Sequence, residues 1–242
     1  MTEARPTASP LYVQTAELMV RRIASGQWAP GSMIPPEPVL ARELGVSPGT
    51  VRKALAGLER RHLIERRQGR GTFVAAQTSE RALFHFFRVV DLAGRKAAPT
   101  SYVLDCRTGP ATAVEAAPLG VPEGTPLHKV KRGRLIEGER CILERIWLPA
   151  ERFPGFALPV LREMTDELYV LYQRDFGVTI GRAVEGLRAI AALEDDALPL
   201  GLRAGTPLLE IDRIAYDLGD VPVERRVTLL DTLAHRYLAA LD

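Results

Sequence analysis

Apolar positions near the start of the chain recur in steps of three and four: Leu11, Leu18, Met19 and Ile23, with Thr15 and Arg22 between them. This spacing predicts an amphipathic helix from Pro10 to Ser25. Gly26 closes it, and Trp28-Ala29-Pro30-Gly31 supplies turn chemistry. After Pro35-Pro36 the pattern fits a short helix from Glu37 to Leu44, stopped by Gly45. Ser47 is then a good N-cap, with Pro48 at the first helical position, where its missing N–H costs nothing. That third helix runs to Arg61 and buries Val51, Leu55 and Leu58. Two short helices separated by Gly45-Val46 predict a helix-turn-helix.

The pattern then changes period. Leu63–Arg66 and Thr72–Val74 predict two short strands, joined by Arg67-Gln68-Gly69-Arg70-Gly71. A hairpin beside a helix-turn-helix is a wing. Its glycines allow close backbone approach to a phosphate chain, and Arg66, Arg67 and Arg70 surround them. A nucleotide-phosphate loop is the alternative, but it lacks the strand-loop-helix order and the Walker-type lysine.

Beyond a short polar connection the chain repeats itself. Gly124-Thr125-Pro126-Leu127 recurs 81 residues later as Gly205-Thr206-Pro207-Leu208. Arg132 aligns with Arg213, Gly138 with Gly219 and, after a one-residue shift, Glu144-Arg145 with Glu224-Arg225. Each copy predicts an apolar helix, a turn, a strand, a glycine turn and a second strand. Two such units imply an α+β domain around an antiparallel sheet, with an approximate internal two-fold. Strand parity puts His128, Val130, Arg132 and Arg134 on one face, and Ile142, Glu144 and Ile146 on one face of the next strand. If the hairpin turns at Glu137-Gly138-Glu139, Glu144 lies across from one of the arginines. This is either a cross-strand salt bridge or a cluster able to bind an anion or a polyol.

Charge sharpens the division. Residues 1–76 hold 11 Lys/Arg against 6 Asp/Glu, and the remainder holds 21 against 24. A basic N-terminal third on an acidic body is the layout expected of a DNA reader fused to another domain. No apolar run is long enough to span a bilayer, and the polar N-terminus has no signal-peptide core, so a cytoplasmic location is expected. Cys106 and Cys141 have neither metal nor redox spacing, and His62, His85, His128 and His235 are scattered. Neither a metal site nor a cofactor is expected.

The segments PLYVQTAELMVRRIASGQWAPGS and VSPGTVRKALAGLERRHLIERRQGRGTFV resemble the winged helix-turn-helix of the GntR family of bacterial regulators over nearly all of residues 10–75. The resemblance implies a recognition helix in the DNA major groove and a wing tip in the minor groove. Ser47, Thr50, Arg52 and Lys53 then face an operator, with Arg67, Gly69 and Arg70 at the wing. The chain departs from the family at Pro38 and Pro48, where basic residues are usual, so an operator different from the usual one is expected.

KVKRGRLIEGERCILERIWLPAERFPGF, DELYVLYQRDFGVTIGRAVEGLRA and GTPLLEIDRIAYDLGDVPVE resemble the UTRA effector domain of HutC-type members, whose fold is similar to chorismate lyase. That resemblance implies that Arg132, Arg134, Glu144 and Glu224 line an effector cleft, with Tyr169 beside them. His85 is a candidate contact, although a histidine in an aromatic run is commonly just packed. Sugar-phosphate binders often carry serine where this chain has Glu167, and a carboxylate there would repel a phosphate. An anionic carboxylate or a zwitterion is therefore the expected effector. The expected organisation is a winged helix-turn-helix at 1–76, a linker at 77–80, and a UTRA-like effector and dimerisation domain at 81–242. Together they make a homodimeric, ligand-responsive repressor of double-stranded DNA, with no membrane partner. The rival is an enzyme, a lyase or hydrolase with a DNA-binding appendage, in which Glu144 and Glu224 do acid–base work.

Overall fold

The computed structural model describes residues 9–76, 78, 86–164 and 167–239, and the chain divides into two compact units, Met1–Gln77 and Thr78–Asp242.

The first unit contains α1 (Leu11–Ala24), α2 (Glu37–Leu44), α3 (Pro48–Arg60) and a hairpin of β1 (Ile64–Arg67) and β2 (Gly71–Val74). In α1 the buried stripe is Thr15, Met19, Val20 and Ile23. The structure corrects the expected apolar face, because Leu11 is 53% and Leu18 41% exposed. A four-residue ladder from Thr15 through Met19 to Ile23 is buried instead. Thr15 tolerates this because its hydroxyl donates to the Leu11 carbonyl at 2.7 Å. Gly45 ends α2 at φ +65°, a left-handed conformation that favours glycine. Ser47 caps α3, its Oγ accepting from the Thr50 N–H at 3.1 Å. The segment Gly31–Ile34 runs beside β2 as a third rung, with Ile34 N–H donating to the Thr72 carbonyl at 2.8 Å and Val74 N–H to Ser32 at 2.9 Å. Arg67, expected in the wing loop, is the last residue of β1, opposite Gly71.

The second unit is built on a six-stranded antiparallel sheet. Its strands and helices, in chain order, are β4 (Thr100–Pro110), α4 (Ala113–Ala116), β5 (Pro126–Ile136), β6 (Glu139–Pro149), α5 (Leu168–Phe176), β7 (Ile180–Ala191), α6 (Glu194–Leu200), β8 (Pro207–Asp217) and β9 (Pro222–Asp231). A separate small sheet pairs β3 (Val89–Asp91) with β10 (His235–Tyr237). The strand order β4-β5-β6-β9-β8-β7 reads as first, second and third strand of a repeat from either edge. Each copy therefore has a leading strand, β4 or β7, that the sequence repeat did not disclose. The equivalence extends through the turn: Gly124 N–H donates to Ala111 and Gly205 N–H to Ala192, each at 2.8 Å. Between β5 and β6 the chain reverses in two residues, Glu137 and Gly138, both at positive φ, which suits the right-handed twist of a hairpin.

One face of the sheet packs Val103, Val130, Ile146 and Leu148 against Phe153, Phe156 and the α5 residues Leu168, Tyr169 and Tyr172. The other face packs Leu143, Val227 and Leu229 against Ala197 and Leu200 of α6. Among the described residues, no helix is long and apolar enough to cross a membrane.

Candidate functional site

In the first unit, Ser47, Arg52 and Lys53 are exposed on the first turns of α3, with Thr50 half-buried beside them. Arg52 Nε lies 3.0 Å from the Glu37 carboxylate, so α2 holds the guanidinium over the start of α3. Lys53 Nζ sits 3.9 Å from the centre of the Tyr12 ring, a cation–π arrangement. At the wing, Gly69 (φ +69°) and Gly71 (φ +111°) make the turn, and Arg70 at its tip is exposed. The Arg67 guanidinium stacks 4.4 Å from the Phe73 ring and pairs with Glu65.

In the second unit, strand pairing places Arg132 directly opposite Glu144, Glu144 opposite Thr228, and Arg213 opposite Arg226. All point to the face that carries α5. Glu144 accepts from Arg132 Nε, and its other oxygen lies 3.4 Å from Arg226 Nη1 and 3.9 Å from Arg134. Arg226 continues the network to Glu224, at 2.8 Å. Glu224 is completely buried beneath two phenols, with Tyr169 donating at 3.0 Å and Tyr172 at 2.7 Å. Arg134 reaches Glu167 at 2.5 Å, and Arg213 reaches Glu185 at 2.5 Å. The Tyr237 hydroxyl also donates to Glu185. The cluster thus balances four guanidinium groups against four carboxylates.

Its titration follows from this packing. Burial pushes the Glu144 carboxyl up, but the guanidinium groups of Arg132, Arg226 and Arg134 outweigh it and hold the group well below the usual carboxylate range. Burial, then the Glu224 charge, raises the Tyr169 hydroxyl to about 12, so it stays protonated and donates. Arg134 is lowered to about 10, by burial first and then by Arg132, with Glu144 and Glu167 opposing.

Above the cluster lies an open-mouthed cleft lined by Phe86, Phe87, Arg134, Glu167, Arg213 and Tyr237, among others, with Glu144, Tyr169, Arg226 and Thr228 at its floor. Arg132 and Glu224, expected to line it, lie beneath instead, as the buried support of Glu144 and Arg226. His85 lies outside the described residues. The sequence reading overlooked Arg226, Arg213, Glu185, Tyr172 and Tyr237. Arg226 follows Glu224 by two positions and so shares its face. Arg213 had already been aligned with Arg132. Two buried donors, Arg132 Nη2 and Arg134 Nε, have no hydrogen-bond acceptor among the described residues. Leaving such a group unpaired costs about 1–3 kcal/mol, so the cluster is short of acceptors as it stands.

A winged helix-turn-helix on the same chain as a charged cleft defines a ligand-responsive, DNA-binding transcription regulator. Comparison with known proteins gives the family. Residues 11–74 match the bacterial regulatory proteins of the gntR family, and residues 94–236 match the UTRA domain. The chain is 31% identical over 210 residues to the HTH-type transcriptional repressor NagR of Bacillus subtilis, covering 86% of this chain and 84% of that one. It is 29% identical to the HTH-type transcriptional regulator SmoD of Agrobacterium fabrum, over 96% of both chains. PhnF from Mycobacterium smegmatis has a similar structure, with a TM-score of 0.55 and 26% identity over 94% of this chain and 99% of that one. The ligand-binding domain of a GntR-family protein from Bordetella bronchiseptica gives a TM-score of 0.59 and 32% identity over 64% of this chain and 96% of that one. The chain belongs to the GntR family of transcription regulators and carries its UTRA effector domain.

Proposed function

We propose that this chain is a cytoplasmic, homodimeric repressor that leaves its operator when a small carboxylate-bearing or zwitterionic metabolite enters the cleft. The effector unit spans 81–242 and is joined to the DNA reader through 77–80. The observation that carries the ligand class is a buried donor of a cleft-lining residue, Arg134 Nε, which has no acceptor among the described residues. A carboxylate supplies the missing acceptor in the planar geometry guanidinium prefers. A phosphate brings more negative charge beside Glu144 and Glu167, while an ammonium group is welcome there. Ser47, Thr50, Arg52 and Lys53 of α3, with Arg67, Gly69 and Arg70 of the wing, contact DNA, and a dimer reads two half-sites. Pro38 and Pro48 remove two basic side chains from that surface, so the preferred operator differs from the family's usual one.

Glu144 also speaks against the enzyme reading. A general acid at neutral pH needs a raised pKa, and Glu144 is pinned as a carboxylate by three guanidinium groups.

The test is anisotropy with DNA upstream of the protein's own gene, titrated with panels of amino acids, other carboxylates and sugar phosphates. Release by a carboxylate or zwitterion, lost in Arg134→Met, is the expected result. Release by sugar phosphates alone overturns the ligand class. Conversion of a released ligand to product revives the enzyme.

A further inference from the structure

The cleft does not end at the charge cluster. A second hollow is lined by Phe86, Arg88, Ala183, Glu185, Arg213 and Tyr237. Phe86, Arg88, Arg213 and Tyr237 line the cleft as well, so the two are compartments of one recess. In the outer compartment most polar groups answer one another. Arg213 donates to Glu185 and to the Phe86 carbonyl, and the Tyr237 hydroxyl donates to Glu185. Arg88 is the exception. Its backbone is pinned, because its carbonyl accepts from Leu238 N–H at 2.8 Å and Val89 pairs with Tyr237 across the small sheet. Its half-buried guanidinium makes no hydrogen bond or ion pair among the described residues. It is one guanidinium more than the cluster's carboxylates match, since Arg132, Arg134, Arg213 and Arg226 are held by Glu144, Glu167, Glu185 and Glu224. The surplus charge is felt on two sides. Burial and then Glu185 raise the Tyr237 hydroxyl to about 12 with Arg88 opposing, and Lys96 is lowered by burial and then by Arg88. The wall next to Arg88 is apolar. Phe86 and Phe87 precede it in the chain; the Phe87 ring lies 4.9 Å from the Arg134 guanidinium, and Phe86 packs edge-on against Tyr169. The recess thus offers an aromatic wall with a cation at either end.

We propose that the recess takes a dicarboxylate, with one carboxylate on Arg134 in the cleft, the second on Arg88 in the outer compartment, and the aliphatic chain between them against Phe86 and Phe87. The inference rests on the carboxylate reading of the cleft above and adds a second anchor to it. A monocarboxylate held at Arg134 leaves Arg88 without a counter-charge. A dicarboxylate satisfies it with a charge-assisted fork and cancels the surplus, and no existing ion pair has to break. An amino group on the same chain is compatible, because Glu144 and Glu167 stand beside Arg134.

The experiment is titration calorimetry on the full chain with succinate, glutarate and adipate, each against the monocarboxylate of equal length: butyrate, valerate and hexanoate. Aspartate and glutamate, against 2-aminobutyrate and norvaline, repeat the comparison with an amino group present. At least one dicarboxylate is expected to bind about 10-fold or more tightly than its monocarboxylate, the range of a hydrogen bond to a charged group. Arg88→Met is expected to bring that dicarboxylate down to the monocarboxylate's affinity while leaving the monocarboxylate and the thermal unfolding midpoint unchanged. Arg88→Lys keeps the charge and is expected to retain part of the preference. Arg134→Met is expected to weaken both members of each pair. Binding of neither set overturns the carboxylate reading of the cleft and this inference together. Equal binding of both sets to wild type, or a dicarboxylate preference that survives Arg88→Met, overturns this inference alone.

Discussion

Replacing Glu144 by glutamine removes one negative charge from beneath three guanidinium groups and leaves the shape nearly unchanged. Arg132, at 0% side-chain exposure, loses its only ionic partner among the described residues, while Arg134 keeps Glu167 and Arg226 keeps Glu224. Breaking a buried pair from one side costs about 3–5 kcal/mol, because a desolvated charge is left uncompensated. For a unit of this size each kcal/mol moves the midpoint by roughly 2–4 °C, so the second unit's transition is expected to fall by about 6–20 °C. The contrast is Asp220→Ala, which breaks the ion pair with Arg182 at side-chain exposures of 72% and 46%; such a surface pair contributes about 0–1 kcal/mol. Calorimetry resolves the two units' transitions, and the pH dependence checks the origin of the effect. Glu144 is depressed in the folded state, so its contribution is fully present above its unfolded pKa of about 4.3 and is lost as pH falls further toward the folded value. The gap between wild type and Glu144→Gln is therefore expected to be constant at neutral pH and to narrow below about pH 4.3. The double variant Arg132→Met, Glu144→Leu is expected to recover much of the loss. A Glu144→Gln transition that moves no further than that of Asp220→Ala, or a gap that does not narrow in acid, would refute the reasoning.

Ser47→Ala removes the cap of α3, and the first unit's unfolding free energy is expected to drop by about 1 kcal/mol in denaturant titration. Arg70→Ala takes a cation from the wing tip; operator affinity is expected to fall similarly for all sequences, and the slope of log K against log salt to shrink by about 0.9, read by anisotropy. Gly133→Ala is expected to destabilise the second unit by about 1–3 kcal/mol, because the new Cβ would overlap the Tyr102 ring that lies across Gly133 on β4. Tyr102→Ala in the same chain is expected to relieve the overlap, and thermal unfolding of the single and double variants distinguishes this from a loss of backbone freedom.

The legibility of the chain tracks how much contrast each segment carries. The helix-turn-helix and wing could be read because Gly45, Ser47-Pro48 and the wing glycines mark their ends chemically. Strand parity put Glu144 across from one of the arginines, and the irregularity in the β5–β6 pairing between Arg134 and Leu135, which no residue pattern marks, settles the partner as Arg132. The α1 face was rotated because two apolar stripes compete on that helix, and packing against α3 chose the one that includes a threonine. β7 escaped altogether. Its alternate positions, Ala183, Glu185, Leu187 and Ala189 against Arg182, Val184, Gly186 and Arg188, show no apolar-to-polar contrast, since neither face of its middle is buried. With β7 unseen, Glu185 could not be joined to Arg213, and half of the cluster stayed hidden.

The balance of the cluster bears on how a ligand could act. Arg213 and Glu185 already satisfy each other, as do Arg226 and Glu224, and an incoming group can bind there only by replacing existing bonds. Exchange of one buried ion pair for another returns little net free energy, because desolvation has already been met in the folded state. On the proposed reading, affinity therefore comes from the unsatisfied donor of the cleft wall, Arg134 Nε, and from apolar contact with Phe86 and Phe87. The exchanged pairs contribute geometry instead. Releasing Glu185 from Arg213 and Tyr237 frees a side chain anchored on β7, so an exchange that is nearly neutral in energy still alters what holds that strand in place. On the proposed reading, a cleft built this way separates the groups that give binding from the groups that carry the signal.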